Sequence, residues 1–137
     1  MKRQYIDLMK KYLLSLIVTV AIVVLSTIPI PEDAPLGDVP LIDKWVHMVM
    51  YGGLSLMMFA DHVLRSKQIL TRGFFAWMLF YPIALGGLME LVQAYLTTCR
   101  SGDWIDWEAD AVGALIVSFI LLLLYKSLWK EKHSGQK

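Results

Sequence analysis

Four apolar runs, separated by short polar stretches, predict the elements of this chain. The first, Tyr12 to Ile28, carries no charge, and at about 1.5 Å per helical residue it covers nearly the hydrocarbon thickness of a bilayer. A secretory signal would also begin with basic residues and an apolar stretch. However, Ser26-Thr27-Ile28-Pro29 is a poor cleavage site, so an uncleaved spanning helix is the better reading. Further helices are expected from about Leu41 to Leu64, Gly73 to Leu96 and Asp106 to Trp129. The membrane-spanning portions are placed at about 12–28, 44–64, 73–96 and 108–127.

The connections differ in character. Residues 29–42 hold Pro29, Pro31, Pro35 and Pro40 with Glu32, Asp33 and Asp38 between them. Repeated prolines forbid a continuous helix there. Asp38 is placed to cap the second helix, with Pro40 in its first turn. Pro82 is expected to kink the third helix. The pairs Gly52-Gly53 and Gly86-Gly87 are candidates for close helix packing.

Charge distribution then sets orientation. The first eleven residues carry Lys2, Arg3, Lys10 and Lys11; Arg65, Lys67 and Arg72 follow the second helix; Lys126, Lys130, Lys132 and Lys137 close the chain. Four crossings put all three basic stretches on one side, which the positive-inside rule makes cytoplasmic. The expected fold is therefore all-α: one domain over residues 1–137, an integral membrane bundle of four transmembrane helices with both termini cytoplasmic. Composition agrees, with 57% hydrophobic residues and a mean hydropathy of +0.55. A net charge of +1 gives no global basic field for nucleic acid. Cys99 is the only cysteine, so no internal disulfide can form.

This topology brings three polar groups to the outer face, where a polar cavity is expected. Asp43, His47 and Tyr51 stand at i, i+4 and i+8 on one side of the second helix, next to Lys44. Glu90 and Gln93 lie near the end of the third. Arg100, Asp103, Asp106 and Asp110 straddle the last loop and the start of the fourth. A carboxylate such as Glu90 is costly inside a membrane helix and usually faces a partner or a wet cavity. An Asp43–His47 hydrogen bond across one turn would orient an imidazole for proton transfer. Candidate acid–base residues are thus Asp43, His47, Glu90 and Asp106. Candidate ligand-binding residues are Lys44, Tyr51, Gln93, Arg100, Asp103 and Asp110, with Arg100 suited to bidentate phosphate contacts. No zinc-type spacing is present and no metal ligand is assigned. Asp103, Asp106 and Asp110 leave an oxygen-ligated divalent cation open as a minor alternative. Trp45, Trp104 and Trp107 read as interfacial belt residues. Asp61, His62 and Arg65 mark the exit of the second helix, and His62 and His133 are assigned no role.

These motifs resemble the VanZ-like membrane proteins. The matching residues are Asp43, Lys44, His47 and Tyr51 as Asp-Lys-x-x-His-x-x-x-Tyr; Glu90 and Gln93 as Glu-x-x-Gln; and Arg100, Asp103, Asp106 and Gly113 in Arg-x-x-Asp-x-x-Asp-x-x-x-Asn-x-x-Gly. Asp110 stands where the pattern commonly has Asn. The resemblance covers roughly residues 12–125. It implies a role in the bacterial cell envelope, in a family whose namesake is associated with resistance to teicoplanin, and a place in the cytoplasmic membrane. Resistance itself is not carried over.

Three functions follow as expectations. The outer cavity binds, and acts on, a lipid-linked or glycolipid envelope molecule, with Arg100 and Lys44 holding an anionic headgroup. Alternatively, the charges form a structural network in a non-enzymatic scaffold. Proton or ion translocation is disfavoured, because no polar path crosses the inner leaflet. The expected partners are membrane lipids or a lipid-linked precursor.

Overall fold

The computed structural model describes residues 2–29, 40–98 and 102–134. It contains α1 (Lys2–Lys11), α2 (Leu13–Thr27), α3 (Ile42–Phe59), a π-helical turn (Ala60–Arg65), α4 (Arg72–Leu96) and α5 (Trp104–Ser134). No strand occurs among the described residues. Among the described residues, two helices are long and apolar enough to cross a membrane, α4 and residues Trp104–Leu128 of α5; α2 is a shorter apolar helix.

Local chemistry explains the boundaries. The first run breaks at Tyr12, so its basic start is the separate helix α1. α2 ends where Ile28, the residue before Pro29, turns extended (φ −81°, ψ 146°), as the proline ring requires. α3 starts from Leu41 in a left-handed conformation (φ 59°) with no side-chain cap; the expected cap, Asp38, lies outside the described residues. Thr71 caps α4 by accepting from the Phe74 amide at 3.1 Å.

Pro82 sits inside α4. It cannot donate to the Met78 carbonyl four residues earlier. Ser55 Oγ on α3 donates to that carbonyl instead, at 3.2 Å, so a neighbouring helix satisfies the group that proline frees.

Successive helices from α2 to α5 alternate in direction, so α2 runs parallel to α4 and α3 runs parallel to α5. At one end, Asp61 of the π turn accepts from Ser15 N and Ser15 Oγ, both at 2.8 Å. Ser15 N belongs to the first turn of α2, where amides lack intrahelical partners. A carboxylate there also complements the helix dipole. Arg65 lies 3.7 Å from Asp61, His62 stacks on Phe74 at 3.5 Å between ring centroids, and Tyr125 near the end of α5 accepts from Leu70 N at 3.3 Å. At the other end, Gln93 Nε2 donates to the Ser26 carbonyl at 2.9 Å, tying the end of α4 to the end of α2. The core between them is Ile22, Tyr51, Leu54, Met58, Phe59, Met78 and Leu121.

α3 packs most extensively on α5, and glycine permits it. A β-carbon on Gly113 would fall on the Met48 backbone; one on Gly52 would lie 2.9 Å from Val117 Cγ2 and 3.0 Å from the Gly113 carbonyl. Gly53, by contrast, has open space around it. Gly113→Ala is therefore expected to force α3 and α5 apart and cost about 1–3 kcal/mol, as overpacking does. Gly53→Ala should be neutral or slightly stabilising. Thermal unfolding of the two variants in detergent checks the contrast.

Candidate functional site

The site forms where the start of α3, the end of α4 and the start of α5 meet. The α3–α5 crossing at Gly113 fixes the register. Met48 lies against Gly113, so its neighbour His47 meets Asp110, three residues before Gly113. His47 Nδ1 is 2.8 Å from Asp110 Oδ1. If Asp110 is ionised it can only accept, so Nδ1 donates, and a neutral ring then presents its Nε2 lone pair. Nε2 is 4.0 Å from both Asp43 Oδ1 and Asp106 Oδ2. Asp43, the expected partner of His47, is thus beyond hydrogen-bonding distance of it, and Asp110 takes that place. One helical turn separates Asp43 from His47 along α3, whereas the close helix crossing brings Asp110 directly against the ring. Tyr51, one turn further along, stacks on His47 at 6.3 Å between centroids and is fully buried.

Lys44 holds a second knot. Its ammonium donates to Asp103 Oδ2 at 3.0 Å and to Asp106 Oδ1, with Asp43 Oδ2 at 3.7 Å. Asp103 also organises the entry to α5: its Oδ1 accepts from Ile105 N at 2.9 Å, and its carbonyl accepts from Asp106 N at 3.0 Å. The Asp103 amide donates to Glu90 Oε2 at 2.6 Å. Glu90 therefore anchors the loop before α5 to the end of α4.

Burial sharpens the chemistry. His47, Glu90, Asp106 and Asp110 are all buried. Gly86 makes room for one of them, since a β-carbon there would collide with the Asp110 carboxylate. Each of two carboxylates has one oxygen committed and one without a hydrogen-bond partner: Glu90 Oε1 and Asp110 Oδ2. Two three-residue groups bring one possible ligand atom per residue within 4.8 Å of one another, Asp43/His47/Asp106 and His47/Glu90/Asp110.

Asp43, Lys44, His47, Tyr51, Glu90, Asp103, Asp106 and Asp110 are thus gathered at one end of the bundle. Gln93 lies nearby, but its amide is turned to α2. Arg100 lies outside the described residues. Two features were not anticipated. Trp107 is more than a belt residue: its indole Nε1 donates to the Ile83 carbonyl at 2.9 Å and packs on Gly87. Asp61, at the opposite end, is fully buried and caps α2; an acidic residue four positions before Arg65 was its only sequence signal.

A small cavity of about 90 Å³ opens beside Glu90 and Asp103, lined also by Leu91 and Trp104. A larger groove of about 480 Å³ runs along α4 and α5 past Phe80, Ile83, Leu88 and Trp107, and it shares Leu91 and Trp104 with the small cavity. The polar centre and an apolar groove therefore adjoin.

No family model matches the chain, and no curated protein or solved structure matches it.

The Ile105 amide and then the Lys44 ammonium hold the Asp103 carboxyl below its ordinary value. The sign follows from linkage: a carboxyl depressed in the folded protein adds stability above its unfolded value, and that stability is lost as pH falls through the folded value. Wild type should therefore exceed Asp103→Asn in thermal stability at neutral pH. The gap should close on acidification below the ordinary carboxylate range, in melting curves recorded from pH 7 to 3.

Proposed function

We propose that this chain is a multi-pass protein of the bacterial cytoplasmic membrane that binds a lipid-linked envelope molecule. Its headgroup lies at the acidic centre and its hydrocarbon chain in the α4–α5 groove. One observation carries the reading: a charged cavity and an apolar groove share Leu91 and Trp104, which is the shape an amphiphile needs. The motif resemblance to VanZ-like proteins points to the same compartment.

The four-span arrangement, with both termini cytoplasmic, belongs to this proposal. Its support is that the apolar stretches of α4 and α5 are turned outward. Only 28% and 22% of their most apolar windows are buried, whereas the core helix of a soluble protein is mostly buried. Val20, Phe80, Leu88, Ile120 and Leu124 are all at least half exposed. Such surface is unfavourable in water and ordinary in lipid.

In this reading Lys44, with Arg100, supplies positive charge for the headgroup, while Asp103 and Glu90 accept hydrogen bonds from sugar hydroxyls or amines. Acid–base work on the bound molecule falls to Asp106 and His47, the latter with Asp43 nearby. The structural-network alternative draws on the ties Lys44 already makes to Asp103 and Asp106. It differs in expecting no ligand.

Native mass spectrometry of the chain released from detergent with co-purified lipids separates the two. A defined adduct is expected on wild type and at least about tenfold less of it on Trp104→Ala, whose exposed side chain makes loss of folding a poor explanation. Absence of an adduct on wild type, with Lys44→Met markedly less stable, would move the assignment to a structural network.

A further inference from the structure

Among the described residues, positive charge is unevenly shared across the site. Lys44 faces Asp43, Asp103 and Asp106. Asp110 meets the other ring nitrogen of His47, Glu90 has a carboxylate oxygen near both, and among the described residues no ammonium or guanidinium forms an ion pair with either acid. Both are buried, at 4% and 0% exposure. Glu90 Oε2 is taken by the Asp103 amide and Asp110 Oδ1 by His47, which leaves Glu90 Oε1 and Asp110 Oδ2 unpartnered. Buried carboxylate oxygens without donors are expensive. A bundle that retains two of them beside an imidazole has the makings of a cation site.

We infer that His47, Glu90 and Asp110 bind one divalent first-row cation in the bundle. One ligand atom from each already lies within 4.8 Å of the others, so the set closes with small side-chain shifts. One nitrogen and two carboxylates suit Zn²⁺ or Mn²⁺ rather than Ca²⁺ or Mg²⁺, which favour all-oxygen shells. Three protein ligands leave coordination positions for water or a ligand atom. On binding, the neutral ring changes tautomer: Nδ1 gives up the proton it donates to Asp110 and becomes the ligand, and Nε2 takes up a proton from solvent, so the ring keeps one N–H. That N–H, now at Nε2, points at Asp43 and Asp106, each at 4.0 Å. A carboxylate behind a metal-bound histidine is the usual outer-shell arrangement.

Gly86 fits the same account. Its missing side chain leaves the space that the Asp110 carboxylate occupies, so the buried acid is accommodated by the packing rather than tolerated as an accident. The inference is independent of the amphiphile reading, because the cation is assayed on protein stripped of lipid. Failure of one therefore leaves the other standing.

The experiment uses the full chain in detergent, purified with a histidine-free tag, treated with chelator and desalted. Zn²⁺ and Mn²⁺ are titrated separately by calorimetry, with bound metal counted by elemental analysis. One equivalent of either ion per chain is expected, with a saturable rise in melting temperature. Glu90→Gln and Asp110→Asn should each weaken binding at least about 100-fold, while Glu108→Gln, at an exposed acid of α5 outside the site, should change it by less than about threefold. Should the Asp110 variant not fold, X-ray absorption at the zinc edge of the wild type decides: the expected shell holds one imidazole and carboxylate oxygens. No stoichiometric binding to wild type, a shell without imidazole, or loss of binding in Glu108→Gln with retention in Asp110→Asn would overturn the inference.

Discussion

The backbone of α3 passes so close to Gly113 that no side chain fits between them, and the polar centre depends on that approach. Packing of this kind joins two helices over a few small residues and leaves little freedom to slide. Once Met48 is against Gly113, His47 and Asp110 are at hydrogen-bonding distance and buried together. Lys44 then reaches Asp103 and Asp106 from the preceding turn of α3. Glu90 completes the arrangement by taking the Asp103 amide. A methyl group at one glycine would disturb all of these contacts.

The two ends of the bundle use carboxylates differently. Asp61 gives one oxygen to an amide and a hydroxyl of Ser15 at the start of α2, a capping contact whose benefit is structural. Among the described residues, the opposite end holds Asp43, Glu90, Asp103, Asp106 and Asp110 around the Lys44 ammonium and the His47 imidazole. Fold stability alone gives no reason to collect so many like charges, since a buried ion pair is often no better than an apolar contact of the same volume. Their adjacency to an apolar groove through Leu91 and Trp104 joins hydrophilic and lipophilic recognition in one place.

Much of this was legible in the sequence, because helical periodicity and charge placement act over short range. The i, i+4, i+8 spacing of Asp43, His47 and Tyr51 put them on one face. The run from Gly73 to Leu96 matched α4 within a residue. What the sequence left hidden involves partners far apart along the chain. His47 pairs with a residue 63 positions away rather than with the acid one turn back. Asp61 pairs with Ser15 across 46 positions, and Trp107 with Ile83 across 24. Helix register is local, but which faces meet is decided by glycine contacts whose depth no single-chain pattern reports. Gly53 shows the limit: it reads like Gly52 in the sequence, yet only Gly52 packs against another helix.

In the proposed topology the acidic centre opens at the outer membrane face, on the side opposite the basic loops. Cys99 is the chain's single cysteine and lies between Glu90 and Asp103, so it is a natural reporter. Intact cells would be treated with a membrane-impermeant maleimide, alongside a Cys99→Ser/Gln68→Cys variant that moves the thiol to the basic loop. Cys99 should be labelled in intact cells, and the position-68 thiol only after permeabilisation. The reverse pattern would place the centre on the cytoplasmic side and contradict the proposed topology.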